Sequence, residues 1–295
     1  MLGLALGSGA AYGLAHIGVL RVLEKEEIPI DVVAGTSMGA MIAAMWASGL
    51  SANEIENIMM EYDNNKGRVF RLLGDLCFPK ASLAKGNRVG RFLRKHLDHK
   101  VFSGTRMPLK IVACNLDKRE KIIYESGTLV NAVRASIAIP GMFAPRFHKE
   151  DLVVDGGIME PVPTGTLLES GAKKIIAVNV LHSSEDLREG YKRYKSYLEQ
   201  KKKDMQQRNL IKRSLYGLRL SLRKMLFPNI FDIMVNSLLT MEHVMSLENC
   251  SKADVVINPT VIGTNWFEFF KTRELIKKGE EETVKILPKI KSLLG

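Results

Sequence analysis

The chain has 295 residues, 46% hydrophobic, 25% charged and 7% aromatic, which excludes a disordered tail, a collagen-like repeat and a disulfide-stapled miniprotein. A core of this size needs no metal or disulfide for stability, and the length fits two average domains or one large α/β domain. Forty-three basic against 32 acidic residues leave a net charge of +11, so an anionic partner must be considered: a membrane surface, a phosphorylated substrate or nucleic acid.

Three cysteines (Cys77, Cys114, Cys250) are odd in number and far apart, the usage of a reduced, cytosolic chain. The first 20 residues are uncharged, but the first cation is Arg21 and five glycines interrupt the run, which is not the order of a signal peptide. A second uncharged run, 32–53, has the length of a membrane span. Its Gly35, Thr36, Ser37, Gly39, Ser48 and Gly49 suit a turn followed by a small-residue helix better. The expectation is a soluble, unexported, cytoplasmic protein.

In chain order, an apolar run at 2–6 predicts a strand ending in a glycine-rich loop at 7–13 (GSGAAYG). Leu14, Ile17, Leu20, Val22 and Leu23 recur at helical spacing, and Pro29 forbids continuation. A strand at 30–34, a turn at 35–39 and a helix at 40–47 follow; strand, loop, helix, strand, turn, helix is the opening of a parallel α/β sheet. Strands are predicted at 108–115 and 120–125, and a helix at 128–139 stopped by Pro140. A strand at 152–154 ends at Asp155-Gly156-Gly157. Two β-branched strands, 174–180 and 254–258, flank a segment, 184–249, that reads as helical throughout, and 267–287 is a closing helix.

Gly35-Thr36-Ser37-Met38-Gly39 fits the G-x-S-x-G elbow, in which a serine sits on a tight strand-to-helix turn between residues too small to clash. The N–H of Met38 and the helix N-terminus then point toward a developing oxyanion. The same five residues also suit a turn whose serine only caps the helix, and the pentapeptide alone does not separate the two. None of the six histidines stands in an obvious C-terminal strand-end loop, where an α/β-hydrolase places its third catalytic member. Asp155 does end a strand, before two glycines. A carboxylate is a poor base at its ordinary pKa of about 3.9, so burial must raise it before it can take a proton from serine.

The 7–13 loop offers free N–H groups at the mouth of a helix, a usual solution for an oxyanion. Dinucleotide binding is the rival, but it needs glycine where Tyr12 stands and an acid at the end of the second strand, whereas Asp31 lies at its start. No P-loop lysine is present.

These residues resemble the bacterial patatin-like phospholipases: an oxyanion loop (Gly7, Ser8, Gly9, Ala10 and Gly13 here), the Gly35–Gly39 serine turn, and an aspartate–glycine motif (Asp155, Gly156, Gly157), in the family's order and spacing. The stretches 85–97 (KGNRVGRFLRKHL), 133–145 (VRASIAIPGMFAP) and 254–259 (DVVINP) are also family-like. The resemblance implies a three-layer α/β/α fold with a mostly parallel sheet. It implies a catalytic region at 3–165, completed by 166–295 with the basic helical insert 184–249. It further implies lipid ester hydrolysis by a Ser37–Asp155 dyad without histidine, metal or cofactor, with Gly9 and Ala10 as oxyanion donors beside Met38. Two departures stand out: Ser8 and Ala10 replace glycines, and Tyr12 replaces the usual Arg or Lys.

From Arg188 to Lys224 there are 13 Lys/Arg and three acids. This insert reads either as a solvated helix pair or as a basic amphipathic lid settling on anionic lipid at the inner face of the membrane; no motif supports nucleic acid. His96-Leu97-Asp98-His99 reads as a helix end rather than a metal site. Trp266, Phe267, Phe269 and Phe270 suit core packing, with a membrane anchor as the alternative. Met38, Met41, Met45 and Met142 suit an acyl pocket or ordinary core filling alike. The three motifs in one order favour the enzyme. The alternative is a non-catalytic lipid- or protein-binding module acting through the basic insert.

Overall fold

A computed structural model describes residues 1–73, 82–206 and 230–294 of the chain. The N-terminal half contains β1 (Leu2–Leu6), α1 (Ala15–Lys25), β2 (Val32–Thr36), α2 (Met38–Ala47), α3 (Ala52–Met60), α4 (Lys66–Leu73), β3 (Ser82–Ala84), α5 (Asn87–Leu97), β4 (Leu109–Asn115), β5 (Glu120–Tyr124) and α6 (Leu129–Ser136). There follow β6 (Gly141–Phe143), β7 (Arg146–His148), β8 (Asp151–Asp155), α7 (Thr164–Glu169), β9 (Lys174–Val178), α8 (Ser184–Gln206), α9 (Ile230–Ser251), β10 (Val255–Ile257) and α10 (Thr272–Ser292).

The main sheet runs β10-β9-β1-β2-β4-β8-β7, with β5 also paired to β4. From β10 to β4 every pairing is parallel, whereas β5, β8 and β7 pair antiparallel. The expected α/β class with a mostly parallel sheet is what the chain forms. Central strands are short, buried on both faces and continuously apolar, as parallel strands between helical layers must be. On one face Leu4, Leu6, Val33, Ile111, Ile176 and Val178 pack with α1, α2 and α10. On the other, Ala5, Val32, Ala34, Ile175 and Ala177 pack against Leu167 of α7, with Cys250 of α9 beside them.

Register around β4 decides where the site falls. Residues 111–115 of β4 pair with β5, residues 109–112 with β2, and residues 113–115 with β8. A strand has two edges, so β2 and β8 must share the edge that β5 leaves free. They run toward each other along it: β2 finishes with Thr36 opposite Val112, and β8 finishes with Asp155 opposite Ala113.

Three differences from the sequence expectation have physical reasons. The closing helix spans Thr272–Ser292 rather than 267–287. The amide of Asn265 turns onto the Glu268 side chain, and Phe269–Lys271 is a 3₁₀ turn, so the α-helix starts late. It then runs through Pro288, whose missing N–H would have bonded to Val284, an exposed residue. The expected helix at 128–139 stops at Ser136, and the chain goes on to β6, which pairs with β3 in a separate two-stranded sheet. Within the insert, 184–206 and 230–251 are helical, while the basic and apolar residues of 207–229 lie outside the described residues, as does Cys77.

Helices α1 and α10 cross at backbone contact. A Cβ on Gly18 would come within 2.0 Å of the Ile276 carbonyl, and one on Gly279 within 2.0 Å of the Ala15 carbonyl. Either Gly18→Ala or Gly279→Ala is expected to force the helices apart and destabilise the chain by about 1–3 kcal/mol. Urea unfolding checks this, with Gly104→Ala as the control, since its added Cβ would meet only Val101 Cγ2 at 4.0 Å.

Candidate active site

Ser37 occupies the one-residue turn between β2 and α2 with φ 56° and ψ −120°, a conformation that costs a side-chain-bearing residue about 1–3 kcal/mol. Tight packing holds it there. A Cβ on Gly39 would lie 2.1 Å from the Leu6 carbonyl oxygen, and one on Gly35 2.6 Å from Ala40 Cα. The turn places the Ser37 side chain at the N-terminus of a fully buried helix, where the helix dipole favours negative charge.

The meeting of β2 and β8 brings Asp155 to it. Ser37 Oγ donates to Asp155 Oδ2 at 2.6 Å, and both residues are buried. The Gly157 N–H donates to the other carboxylate oxygen at 2.8 Å. Burial pushes the Asp155 pKa up, and the hydrogen bonds from Ser37 and Gly157 oppose that shift without cancelling it. Ser136 supports the turn: its hydroxyl accepts the Ser37 N–H at 2.8 Å and donates to the Val112 carbonyl at 2.6 Å.

The 7–13 loop is fixed at both ends. Gly7 and Ser8 donate to Val178 and Pro161, and Ala11 and Tyr12 donate to Trp266 and Gly9. Among the described residues the N–H groups of Gly9, Ala10 and Met38 have no protein acceptor, and Gly9, Ala10, Ser37 and Asp155 line one small cavity of about 20 Å³. Ala10 adopts φ 46°, a left-handed conformation open to alanine at about 1–2 kcal/mol. Below the loop, His16 Nε2 lies 2.8 Å from the Gly7 carbonyl oxygen. Burial lowers the His16 pKa to about 4, so the ring is neutral at pH 7 and its Nε2–H donates to that carbonyl.

Tyr12, standing where the resemblance supplies a cation, has partners of its own. Its hydroxyl donates to the Thr264 carbonyl at 3.1 Å, and its ring meets that of His182 edge-on at 4.3 Å. An apolar cavity of about 60 Å³ opens from Ser37, lined by Met38, Met41, Met142, Trp266 and Phe269 among others. Met45 instead lies in the core. Phe267 is exposed, and Phe270 lies beneath the Lys66 ammonium. Among the described residues no group of three or more His, Cys, Asp or Glu could hold a metal.

Glu242 carries no signal in the sequence. This residue of α9 accepts from the Ser8 hydroxyl at 2.7 Å and lines the same small cavity as Ser37 and Asp155. A Cβ on Gly157 would come within 2.7 Å of its carboxylate, so a side chain there would turn Glu242 aside. Burial and the Asp155 charge push the Glu242 pKa up, so the two carboxyls resist ionising together. A glutamate within a long helix looks like part of a solvated face; only the partner Ser8, 234 residues away, marks it.

A serine on a strand–turn–helix elbow, bonded to a buried aspartate beneath a loop of free amides, gives this α/β protein the parts from which an acyl-transfer site can be built. The family model for patatin-like phospholipases matches residues 4–168, and the chain belongs to that family. It is 30% identical over 190 residues to lysophospholipase NTE1 of Pyricularia oryzae, covering 64% of this chain and 13% of that one. It is 31% identical over 181 residues to human patatin-like phospholipase domain-containing protein 6, covering 61% and 13%. The matched part is thus about an eighth of the length of these relatives. The solved structure of VipD from Legionella pneumophila aligns with 97% of this chain and 66% of its own, at a TM-score of 0.47 and 16% identity.

Two outcomes follow from the buried carboxylates. The folded state disfavours ionised Asp155, so it loses stability as pH rises from the ordinary carboxylate value of about 3.9 toward the raised one. Asp155→Asn is therefore expected to raise Tm by a few degrees at pH 8, with the gain vanishing near pH 4, as scanning calorimetry would show. Ionisation of Glu242 at alkaline pH adds a second negative charge beside the amides of the loop, opposing any anion held there. Glu242→Gln, which mimics the neutral carboxyl, is expected to extend the rate plateau to higher pH; an unchanged alkaline limb in kcat/KM would contradict this.

Proposed function

We propose that this chain hydrolyses acyl esters of lipids through a Ser37–Asp155 dyad. The observation that carries the reading is the 2.6 Å bond from the Ser37 hydroxyl to a buried carboxylate, set at the mouth of an apolar cavity. Ser37 Oγ attacks the ester carbonyl carbon as its proton passes to Asp155. The oxyanion forms against the N–H groups of Gly9, Ala10 and Met38. The C–O bond then breaks, the departing alcohol takes the proton from Asp155, and an acyl-enzyme remains in the apolar cavity. A water molecule repeats the sequence: it loses a proton to Asp155, attacks the acyl carbon and releases Ser37, which recovers that proton.

The reading needs a base that is ionised near neutrality yet basic enough to accept the serine proton, and the burial-raised pKa of Asp155 supports both. Family membership and the names of the lysophospholipase relatives support the lipid substrate. Among the described residues no helix is long and apolar enough to cross a membrane. We place the lipid encounter at a membrane surface facing the cytoplasm, with basic residues making peripheral contact.

Ser37→Ala and Asp155→Asn are each expected to lower kcat on a short-chain ester by about 10³-fold or more, and the double variant to lose little beyond either one, because the pair acts as a unit. A serine-directed fluorophosphonate should label Ser37 stoichiometrically. Wild-type activity in Ser37→Ala would end the proposal, and absence of labelling would favour a non-catalytic binding module.

A further inference from the structure

His16 stands outside the dyad, but it is fully buried and reaches back nine residues to the Gly7 carbonyl. With Nε2–H donating there, the neutral ring leaves Nδ1 as an acceptor. That atom has no hydrogen-bond partner among the described residues. A buried acceptor without a donor is a cost that an apolar side chain of similar volume avoids. What the imidazole adds over such a side chain is the one donor at Nε2.

That donor acts on a peptide held at both ends. The Gly7 oxygen accepts from His16 Nε2 at 2.8 Å, with no other donor to it among the described residues. The N–H of the same peptide, that of Ser8, donates to the Pro161 carbonyl at 2.7 Å. Together the two bonds fix the plane of the Gly7–Ser8 peptide between α1 and the segment that follows Asp155. The free N–H groups come next, on Gly9 and Ala10, with φ of 149° and 46°. Backbone in that region persists only where its surroundings hold it. The Gly7 oxygen also lies beside the first turn of α2, since a Cβ on Gly39 would come within 2.6 Å of it. Deprived of His16, this oxygen is drawn to the positive end of α2, where the Met38 N–H is free.

We propose that His16 is a positioning residue: by holding the Gly7 carbonyl it directs the Gly9 and Ala10 N–H groups to the cavity they share with Ser37 and Asp155, and it keeps the Gly7 oxygen off the N-terminus of α2. The kinetic consequence rests on the acyl-ester reading of Ser37. The effect on the loop does not.

The test compares two variants of the full chain. In H16Q the amide nitrogen reaches the place of Nε2; H16M fills similar space without a donor. On a short-chain ester, H16M is expected to lower kcat about 30-fold or more and to change KM by less than about threefold, because the loop amides act on the transition state. H16Q should recover kcat to within about fivefold of the unaltered chain. Both should melt within about 4 °C of it, since H16M loses the unpaired Nδ1 together with the Gly7 bond. A readout independent of turnover is the amide NMR spectrum of chain labelled at glycine and alanine. The two variants share the loss of the ring, so displaced Gly9 and Ala10 signals in H16M relative to H16Q report the bond itself.

Unchanged kcat in H16M overturns the proposal. Equal losses in both variants overturn it as well, because they mark packing of the ring. So does a loss confined to KM, or unfolding of H16M, which would assign the bond to stability. A chain that neither hydrolyses esters nor takes up a serine-directed fluorophosphonate ends the reading of Ser37 alone. The amide spectra still decide on His16: coincident Gly9 and Ala10 signals in the two variants overturn its role, and separate ones sustain it.

Discussion

One edge of β4 has to serve two strands, and the site exists because they arrive from opposite directions. β2 uses the edge up to Val112, and β8 uses it back to Ala113. A ladder interrupted in this way leaves backbone groups without strand partners, and buried groups of that kind must be satisfied. Ser136 does so at the seam, bridging the Ser37 N–H and the Val112 carbonyl through one hydroxyl. The Asp155 N–H turns instead to the Ala138 carbonyl. The chain leaving β8 passes so close that a Cβ on Gly156 would sit 2.3 Å from the Val112 oxygen. The proximity of Ser37 and Asp155 is thus a consequence of register, with the glycines and Ser136 as the local conditions that allow it.

The same seam sets the electrostatics. A carboxylate at the end of a buried strand loses most of its hydration, and two donors do not replace a water shell. Bringing Glu242 alongside raises the cost of a second charge further. His16 adds no charge at pH 7, since burial keeps its ring neutral beneath Gly7. What remains favourable to anions is dipolar: the N-terminus of α2 and the amides of Gly9, Ala10 and Met38. Such fixed dipoles need no reorganisation when charge develops. Their cost falls on folding, in the strained backbone of Ser37 and Ala10.

Much of this arrangement is legible in the chain itself. The G-x-S-x-G turn and the Asp-Gly-Gly end are local: each needs small residues at fixed offsets from one side chain, so spacing reveals them. The central strands are legible too, because burial on both faces makes them continuously apolar. What sequence does not carry is pairing. Nothing local says that β8 runs antiparallel, or that it takes the rest of the edge used by β2. The three-residue strands β3, β6 and β7 are too short for a period to show. The start of α10 is set by the Asn265 turn onto Glu268, a side-chain contact without a hydrophobic pattern. Tyr12 looks like a lost cation until Thr264 and His182 supply its partners.

Ser8 shows how an apparent departure from a family pattern acquires a cause. In a loop that resemblance expects to be glycine, its hydroxyl looks like tolerated drift. In the folded chain it is the anchor for Glu242, and Glu242 lies on the helix that brings Val235, Leu238 and Leu239 over Ser37. Helix α9 therefore roofs the Ser37–Asp155 pair, and this part of the insert belongs to the surroundings of the proposed dyad. The dryness that raises the Asp155 pKa depends on that roof. Lift the helix, and water reaches the carboxylate, its pKa falls toward the ordinary value, and the base proposed for Ser37 weakens. The position of one helix, held partly by a hydroxyl where glycine is usual, thereby bears on the proton affinity of a residue at the end of a different strand.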